Sequence, residues 1–238
     1  MYKRQVLGED KKRLSKRHAA TSLNAYKEMG FTKETIINAL ALLGWSTENE
    51  IFSIDELIES FKLENVQKAA AVFDLKRFNW VSSQQLAKLD ETGFFEVIKP
   101  FMEDENVSED YPNYKKILLA MRTSKTNLKD IAHATRPFFF ELDGYDEKGV
   151  KKFLNESLDT LCFALEVFSK VTEWNETELD MALIKVRDYF NLPIPKVNQP
   201  MRIALVGSTV SPSLGLTLEL FGKEKSLERI QKAIDFIS

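Results

Sequence analysis

The sequence predicts a mainly α protein, and two observations carry that expectation. Charged residues make up 29% and hydrophobic residues 44% of the 238 residues, with only nine glycines and seven prolines. That is the balance of a helix-rich globular chain with few helix breakers. The second observation is local: capping residues stand ahead of apolar positions spaced three and four apart.

The elements follow in order. Residues 1–20 are basic and lack helical periodicity, so they read as a loop or short strand. Thr21 or Ser22 can cap a helix over 23–29, with Gly30 as its stop. A second helix is expected over 33–43, with Ile36, Ile37, Leu40 and Leu43 inward and Gly44 ending it. Ser53-Ile54-Asp55-Glu56 has the capping-box pattern, opening a helix with Ile54, Leu57, Ile58 and Phe61 inward. Asp74 starts a segment over 75–80, and Ser82 or Ser83 starts another over 84–90. Helical patterns recur at 92–102 and 114–121, separated by an acidic, exposed stretch at 103–110. Asn127, with Asp130 three residues later, opens a helix that should stop before Pro137. Asp143-Gly144-Tyr145-Asp146 is turn chemistry at a subdomain boundary. Helices are expected over 147–155, 158–171 and 176–191, then a rigid linker at Leu192-Pro193-Ile194-Pro195. A segment over 200–206 ends at Gly207. Ser211-Pro212 reads as a cap followed by a proline at the first helical position, opening 213–221. Gly222 ends that helix, and 223–237 closes the chain. The helices form three packed groups.

Composition also bounds function. The formal net charge is −3, so nucleic-acid contact has to come from local cationic patches. The lone Cys162 reads as a small buried hydrophobe in a reducing cytoplasm. No apolar run approaches the ~20 residues that span a bilayer. The N-terminus lacks the apolar core of a signal peptide. Neither His18 nor His133 belongs to a cluster with zinc spacing, so no metal site is expected.

Lys11-Lys12-Arg13-Leu14-Ser15-Lys16-Arg17-His18 packs five fixed positive charges into eight residues around a hydroxyl. Such a run suits a polyanion, although composition alone favours a solvated charge run or nuclear-localisation-like patch. Its order resembles the KMSKS loop of class I aminoacyl-tRNA synthetases, in the form found in glutamyl-tRNA synthetases. Further markers resemble the same family. They are Leu42-Leu43-Gly44-Trp45-Ser46 with Ile51-Phe52-Ser53, Ala71-Val72-Phe73-Asp74, Asn79-Trp80, and the closing stretch from Gln199 through Gly207 to Ser211-Pro212 and Gly222-Lys223-Glu224. The resemblance spans essentially the whole chain but not the whole enzyme, since no His-Ile-Gly-His-like motif or Gly-rich strand-to-helix turn is present.

The resemblance implies the C-terminal portion of that enzyme. Residues 1–20 would hold the KMSKS-like loop and 21–90 a helical stem-contact region. Two all-helical anticodon-binding subdomains, 91–137 and 138–238, would follow. Lys16, flanked by Ser15 and Arg17, would stabilise the charge developing on ATP, and Arg13, Leu14, Ser15, Lys16 and Arg17 would face the nucleotide. Arg13 replaces a lysine of other subfamilies, and Ala19 a common glycine. Arg77, Trp80, Gln199, Arg202, Ser211, Pro212 and Leu214 match positions that contact the tRNA anticodon. Trp80 reads equally as core, and Ser211, a common threonine in the family, equally as a helix cap. Arg122, Lys125 and Lys129 are better read as a solvated face. The implied function is that of a monomeric, cytoplasmic tRNA(Glu)-binding part of a glutamate–tRNA ligase. ATP with Mg2+, and glutamate, would serve the complete enzyme, with neither bound to this portion. Alone, the chain should bind tRNA without catalysing. The alternatives are a stand-alone RNA-binding or regulatory paralogue, and a helical protein–protein adaptor.

Overall fold

The computed structural model describes residues 6–8, 10–12, 22–45, 47, 49–67 and 70–238. Arg13, Leu14, Ser15, Lys16, Arg17, His18 and Thr21 lie outside the described residues. In chain order the elements are β1 (Val6–Leu7), α1 (Leu23–Glu28), α2 (Lys33–Leu42), α3 (Ile54–Ser60), β2 (Ala71–Val72), α4 (Leu75–Lys88), α5 (Glu91–Asp104), α6 (Tyr114–Met121) and α7 (Leu128–Phe139). After them come α8 (Glu147–Gly149), a π-helical turn (Val150–Leu154), α9 (Leu158–Ser169), α10 (Glu176–Phe190), α11 (Ile194–Val206), α12 (Leu214–Phe221) and α13 (Lys223–Ile237). β1 and β2 pair in parallel, Val6 opposite Ala71. The expected mainly α class is what the structure shows.

The chain divides into two compact units, residues 1–108 with 125–133, and residues 109–124 with 134–238. The third division, between 133 and 134, falls inside α7, a few residues before the boundary expected at 137.

In the first unit, Tyr26, Phe31, Ala39, Phe73 and Phe78 form a core cluster, with Val6, Ile36 and Leu43 against it. The Phe78 ring lies 4.7 Å from Phe31 and 4.9 Å from Tyr26, tilted or edge-on as aromatic pairs prefer. Ser22 and Thr32 cap α1 and α2, Ser53 and Glu56 complete the capping box of α3, and Asp74 caps α4. Gly30 has φ +84°, and its carbonyl accepts from Leu128 N at the start of α7. A Cβ there would stand 2.5 Å from Lys129 N.

In the second unit, α9 to α13 pack around Leu161, Phe168, Leu179, Val197, Met201, Leu205, Leu218 and Ile230, all fully buried. Gly207 ends α11 at φ 73°, where its carbonyl accepts from Asp146 N.

Several expectations are corrected. The inward face of α2 is Thr35, Asn38 and Ala39, while Ile37 and Leu40 are exposed. Ile58 and Phe61 are exposed too, Ile58 at 71%. Polar groups set the buried face of α2: Asn38 Nδ2 donates to Glu50 O, Asn38 Oδ1 accepts from Phe52 N, and Gln85 Nε2 donates to both Asn38 Oδ1 and Phe52 O. α4 is one continuous helix. Ser82 Oγ turns away to Thr126 O and Ser83 Oγ back-bonds to Asn79 O, so neither starts a new helix. α5 already ends at Asp104 and Val107 is buried, so the acidic stretch is only partly an exposed loop. α7 runs through Pro137, which stands inside the helix and removes the backbone bond to the carbonyl of residue 133. α11 begins at Ile194, because a proline in the first turn lacks only an N–H that has no helical partner. The cap position of α12 is Ser213 rather than Ser211. Cys162 is exposed, one step around α9 from the buried Leu161.

Because Gly30 combines a left-handed φ with a close backbone approach, Gly30→Ala should lower unfolding free energy by about 2 kcal/mol. Urea unfolding measures it, and an unchanged midpoint would contradict this account of the α1–α7 junction.

Candidate nucleic-acid interface

The sequence-expected site residues fall into one group in each unit. In the second unit, Pro193 opens α11 in extended conformation and the chain runs helically to Gly207. Gln199 and Arg202 stand three residues apart, on one helical face. Val197, Met201 and Ala204 bury the opposite side. The left-handed Gly207 reverses the chain, and the turn through Ser211 and Pro212 returns to Arg202.

Arg202 is half-buried. Its Nε donates to Ser211 Oγ at 2.8 Å and its Nη2 to Pro212 O at 3.3 Å. Ser211 Oγ donates to Pro212 O at 3.0 Å. That fixes Ser211 as an acceptor toward Arg202, so its hydrogen is already used. Behind them lies Thr217, fully buried, its Oγ1 donating to Ser211 Oγ at 3.1 Å, with Ser213 O at 2.8 Å the alternative acceptor of the same hydrogen. Guanidinium has five donors in a fixed fork. The contacts to Ser211 and Pro212 leave both Nη1 hydrogens and one Nη2 hydrogen uncommitted among the described residues.

No carboxylate of the described residues pairs with Arg202. Burial pushes its pKa down from the ordinary value, with no opposing charge to raise it. One turn earlier, Gln199 keeps Oε1 buried without a hydrogen-bond partner. The face therefore offers cationic donors, while the unused acceptor of Gln199 is held inward. Pro212 is half-buried beside them. Leu214 is 3% exposed and its side chain belongs to the core.

In the first unit, Asp74 Oδ1 accepts from Lys76 N and Arg77 N and so starts α4. Arg77 Nη2 donates to Glu50 Oε1 at 2.9 Å, with both side chains nearly half exposed. Trp80, one turn on, is 43% exposed, which decides against the core reading. Lys125 and Lys129 are exposed, as a solvated face requires, and Arg122 is half-buried. His133 is exposed, its Nδ1 3.2 Å from Glu105 Oε1. Among the described residues no group of His, Cys, Asp and Glu is placed to hold a metal ion. No helix among them is long and apolar enough to cross a membrane.

Sequence reasoning missed the residues that hold these side chains in place: Thr217 behind Ser211, and Asn38, Glu50 and Gln85 behind Arg77. The readable signal for Thr217 was a hydroxyl six residues after Ser211, inside an otherwise apolar helix.

Known proteins match this arrangement. Residues 93–234 match the family described as anticodon binding domain, and residues 1–80 match tRNA synthetases class I (E and Q), catalytic domain. Glutamate–tRNA ligase 2 of Thermoanaerobacter pseudethanolicus is 35% identical, over 98% of this chain and 50% of its own length. The glutamate–tRNA ligase of Syntrophotalea carbinolica is 36% identical, over 96% of this chain and 50% of its own. The crystal structure of a glutamate tRNA ligase from Elizabethkingia meningosepticum, in complex with its amino acid, is similar with a TM-score of 0.79 at 28% identity. That similarity covers 98% of this chain and 51% of the other. The chain thus spans about half the length of the relatives it matches. It belongs to the anticodon binding domain family and is the counterpart of the C-terminal part of glutamate–tRNA ligases.

Proposed function

We propose that this chain supplies the tRNA-binding part of a glutamate–tRNA ligase, which joins glutamate to tRNA(Glu) in an ATP-dependent two-step reaction. The observation that carries the reading is the half-buried Arg202 without a carboxylate partner, one turn from the unpaired Gln199 Oε1. A donor fork suits the edge of an unstacked base, the usual target of sequence-specific RNA recognition. Ser211 and Pro212 set the angle of the fork, and Leu214 supports it from the core. In the first unit, Trp80 offers an exposed ring for stacking and Arg77 a cation for phosphate.

The same reading gives residues 21–90 the stem contact. Residues 91–137 and 138–238 take the anticodon. Arg13, Leu14, Ser15, Lys16 and Arg17 would face ATP with its Mg2+ in a complete enzyme, Lys16 holding the charge that develops on the phosphates. Glutamate would also bind there, and the protein would act as a monomer in the cytoplasm.

In filter-binding or gel-shift titrations at moderate salt, the chain should prefer tRNA(Glu) over unrelated tRNAs. Arg202→Ala should weaken that binding by about 1–3 kcal/mol, and Arg202→Lys should not restore it, because an ammonium lacks the planar fork. Lys16→Ala should leave affinity unchanged. Equal losses from Arg202→Ala and Lys16→Ala, or no preference among tRNAs, would reduce the binding to diffuse charge attraction.

Trp80→Ala should cost about 1–3 kcal/mol in the same titration if a base stacks on the ring. A variant that binds as tightly as the parent would remove Trp80 from the interface.

A further inference from the structure

Arg229, on α13, is 2% exposed and is the only charged side chain among the described residues that is buried. Among the described residues no carboxylate hydrogen-bonds to it. Its Nη1 donates to Leu205 O, in the last turn of α11, and its Nη2 donates to Phe140 O, just past the end of α7, at 2.6 Å. Its Cζ lies 4.5 Å from the ring centroid of Phe221, the last residue of α12. The final carbonyls of a helix have no partner within it and form the negative pole of its dipole. One guanidinium therefore neutralises the ends of α7 and α11 and covers the ring that closes α12. Lys223 does similar work at the exposed end of α9, donating to Ser169 O and Val171 O. Arg229 differs in being buried, with Nε left unpartnered, and desolvation pushes its pKa down. Burying a charge in this way is costly, and here carbonyl hydrogen bonds and the Phe221 ring offset it.

What Arg229 fixes is the pair of helices on either side of the site. Arg202 sits one turn before Leu205 on α11. Ser211 and Pro212 stand between Gly207 and α12, and Thr217 of α12 braces Ser211. The Arg202–Ser211 hydrogen bond spans the gap between α11 and the start of α12, so it depends on how those helices are spaced. We infer that Arg229 is a positioning residue for the Arg202–Ser211 site, holding α11 and α12 at the spacing that lets Ser211 accept from Arg202 Nε. Its effect on RNA rests on the proposal that Arg202 contacts tRNA. Its effect on the geometry of Arg202 does not.

The test uses the full chain with Arg229→Met, which keeps an apolar stem without donors, and Arg229→Lys, which keeps charge but not the fork. Far-UV circular dichroism confirms folding, and the lysine variant carries the test if the methionine variant does not fold. In the free protein, the Arg202 Nε–H signal in nitrogen–proton NMR, identified by its loss in Arg202→Lys, should shift and exchange faster with solvent. Arg229→Met should weaken tRNA(Glu) binding by about fivefold or more, with Arg229→Lys intermediate, and neither should weaken it further in an Arg202→Ala background. An unchanged Nε–H signal in a folded variant, or losses that add in the double variants, would overturn the inference and leave Arg229 a stabilising residue only. Should Arg202→Ala alone leave affinity unchanged, the RNA reading falls, while the NMR signal still decides whether Arg229 positions Arg202.

Discussion

The hydrogen bonds from Arg202 to Ser211 and Pro212 are the constraint around which the second unit is arranged. They join residues on either side of a chain reversal, and the reversal depends on Gly207. Its φ of 73° ends α11, its N–H returns to Ile203 O, and its carbonyl takes Asp146 N. A Cβ at that position would lie 2.8 Å from Gly144 O. With a side chain excluded there, the turn closes tightly and Ser211 arrives at Arg202 in one orientation. Thr217 then holds it from inside. The result is a guanidinium locked through Nε and one Nη2 hydrogen, with its remaining donors uncommitted among the described residues. That is how a binding group is organised in advance of its ligand, without freezing a long side chain on binding.

The first unit solves a similar problem with different residues. Gln85 and Asn38 form a buried relay, and Asn38 Nδ2 holds Glu50 O at 2.8 Å. Glu50 in turn accepts from Arg77. A buried polar group left without a partner costs about 1–3 kcal/mol, so such a network is rigid once complete. In each unit a candidate cation is therefore oriented by polar side chains that sit in the interior, in places where apolar residues pack more simply.

Much of this was legible in the sequence, and the remainder was hidden for physical reasons. Ser22, Ser53, Asp74 and Asn127 announced their helices because a cap is a local device, complete within four residues. The face of α2 was misread because its buried side is decided by Asn38, whose partners at Glu50, Phe52 and Gln85 are tertiary. The prolines at 137 and 195 were read as stops, yet Pro195 falls in the first turn of α11, where its missing N–H has no helical partner, and α7 continues through Pro137. Ser211 looked like a cap because Ser-Pro starts many helices, and only the chain reversal shows its hydroxyl turned to Arg202. The family resemblance supplied Gln199 and Arg202. It carried no information about Thr217 or Arg229, which act from behind.

The two guanidiniums should contribute differently to an anionic partner. Arg77 is paired, but its bridge to Glu50 joins two side chains that are each nearly half exposed. Such a pair is worth only about 0–1 kcal/mol, so a phosphate can take Glu50's place at little cost, and salt weakens both contacts alike. Arg202 has no carboxylate to give up, and its half-buried position screens it less. Contact there recovers an interaction that folding left unmade, while contact at Arg77 exchanges one for another. With a net charge of −3 over the chain, bulk attraction cannot supply the difference. Under the proposed function, discrimination would therefore concentrate at Arg202 on α11, and the α4 face would contribute salt-sensitive adhesion.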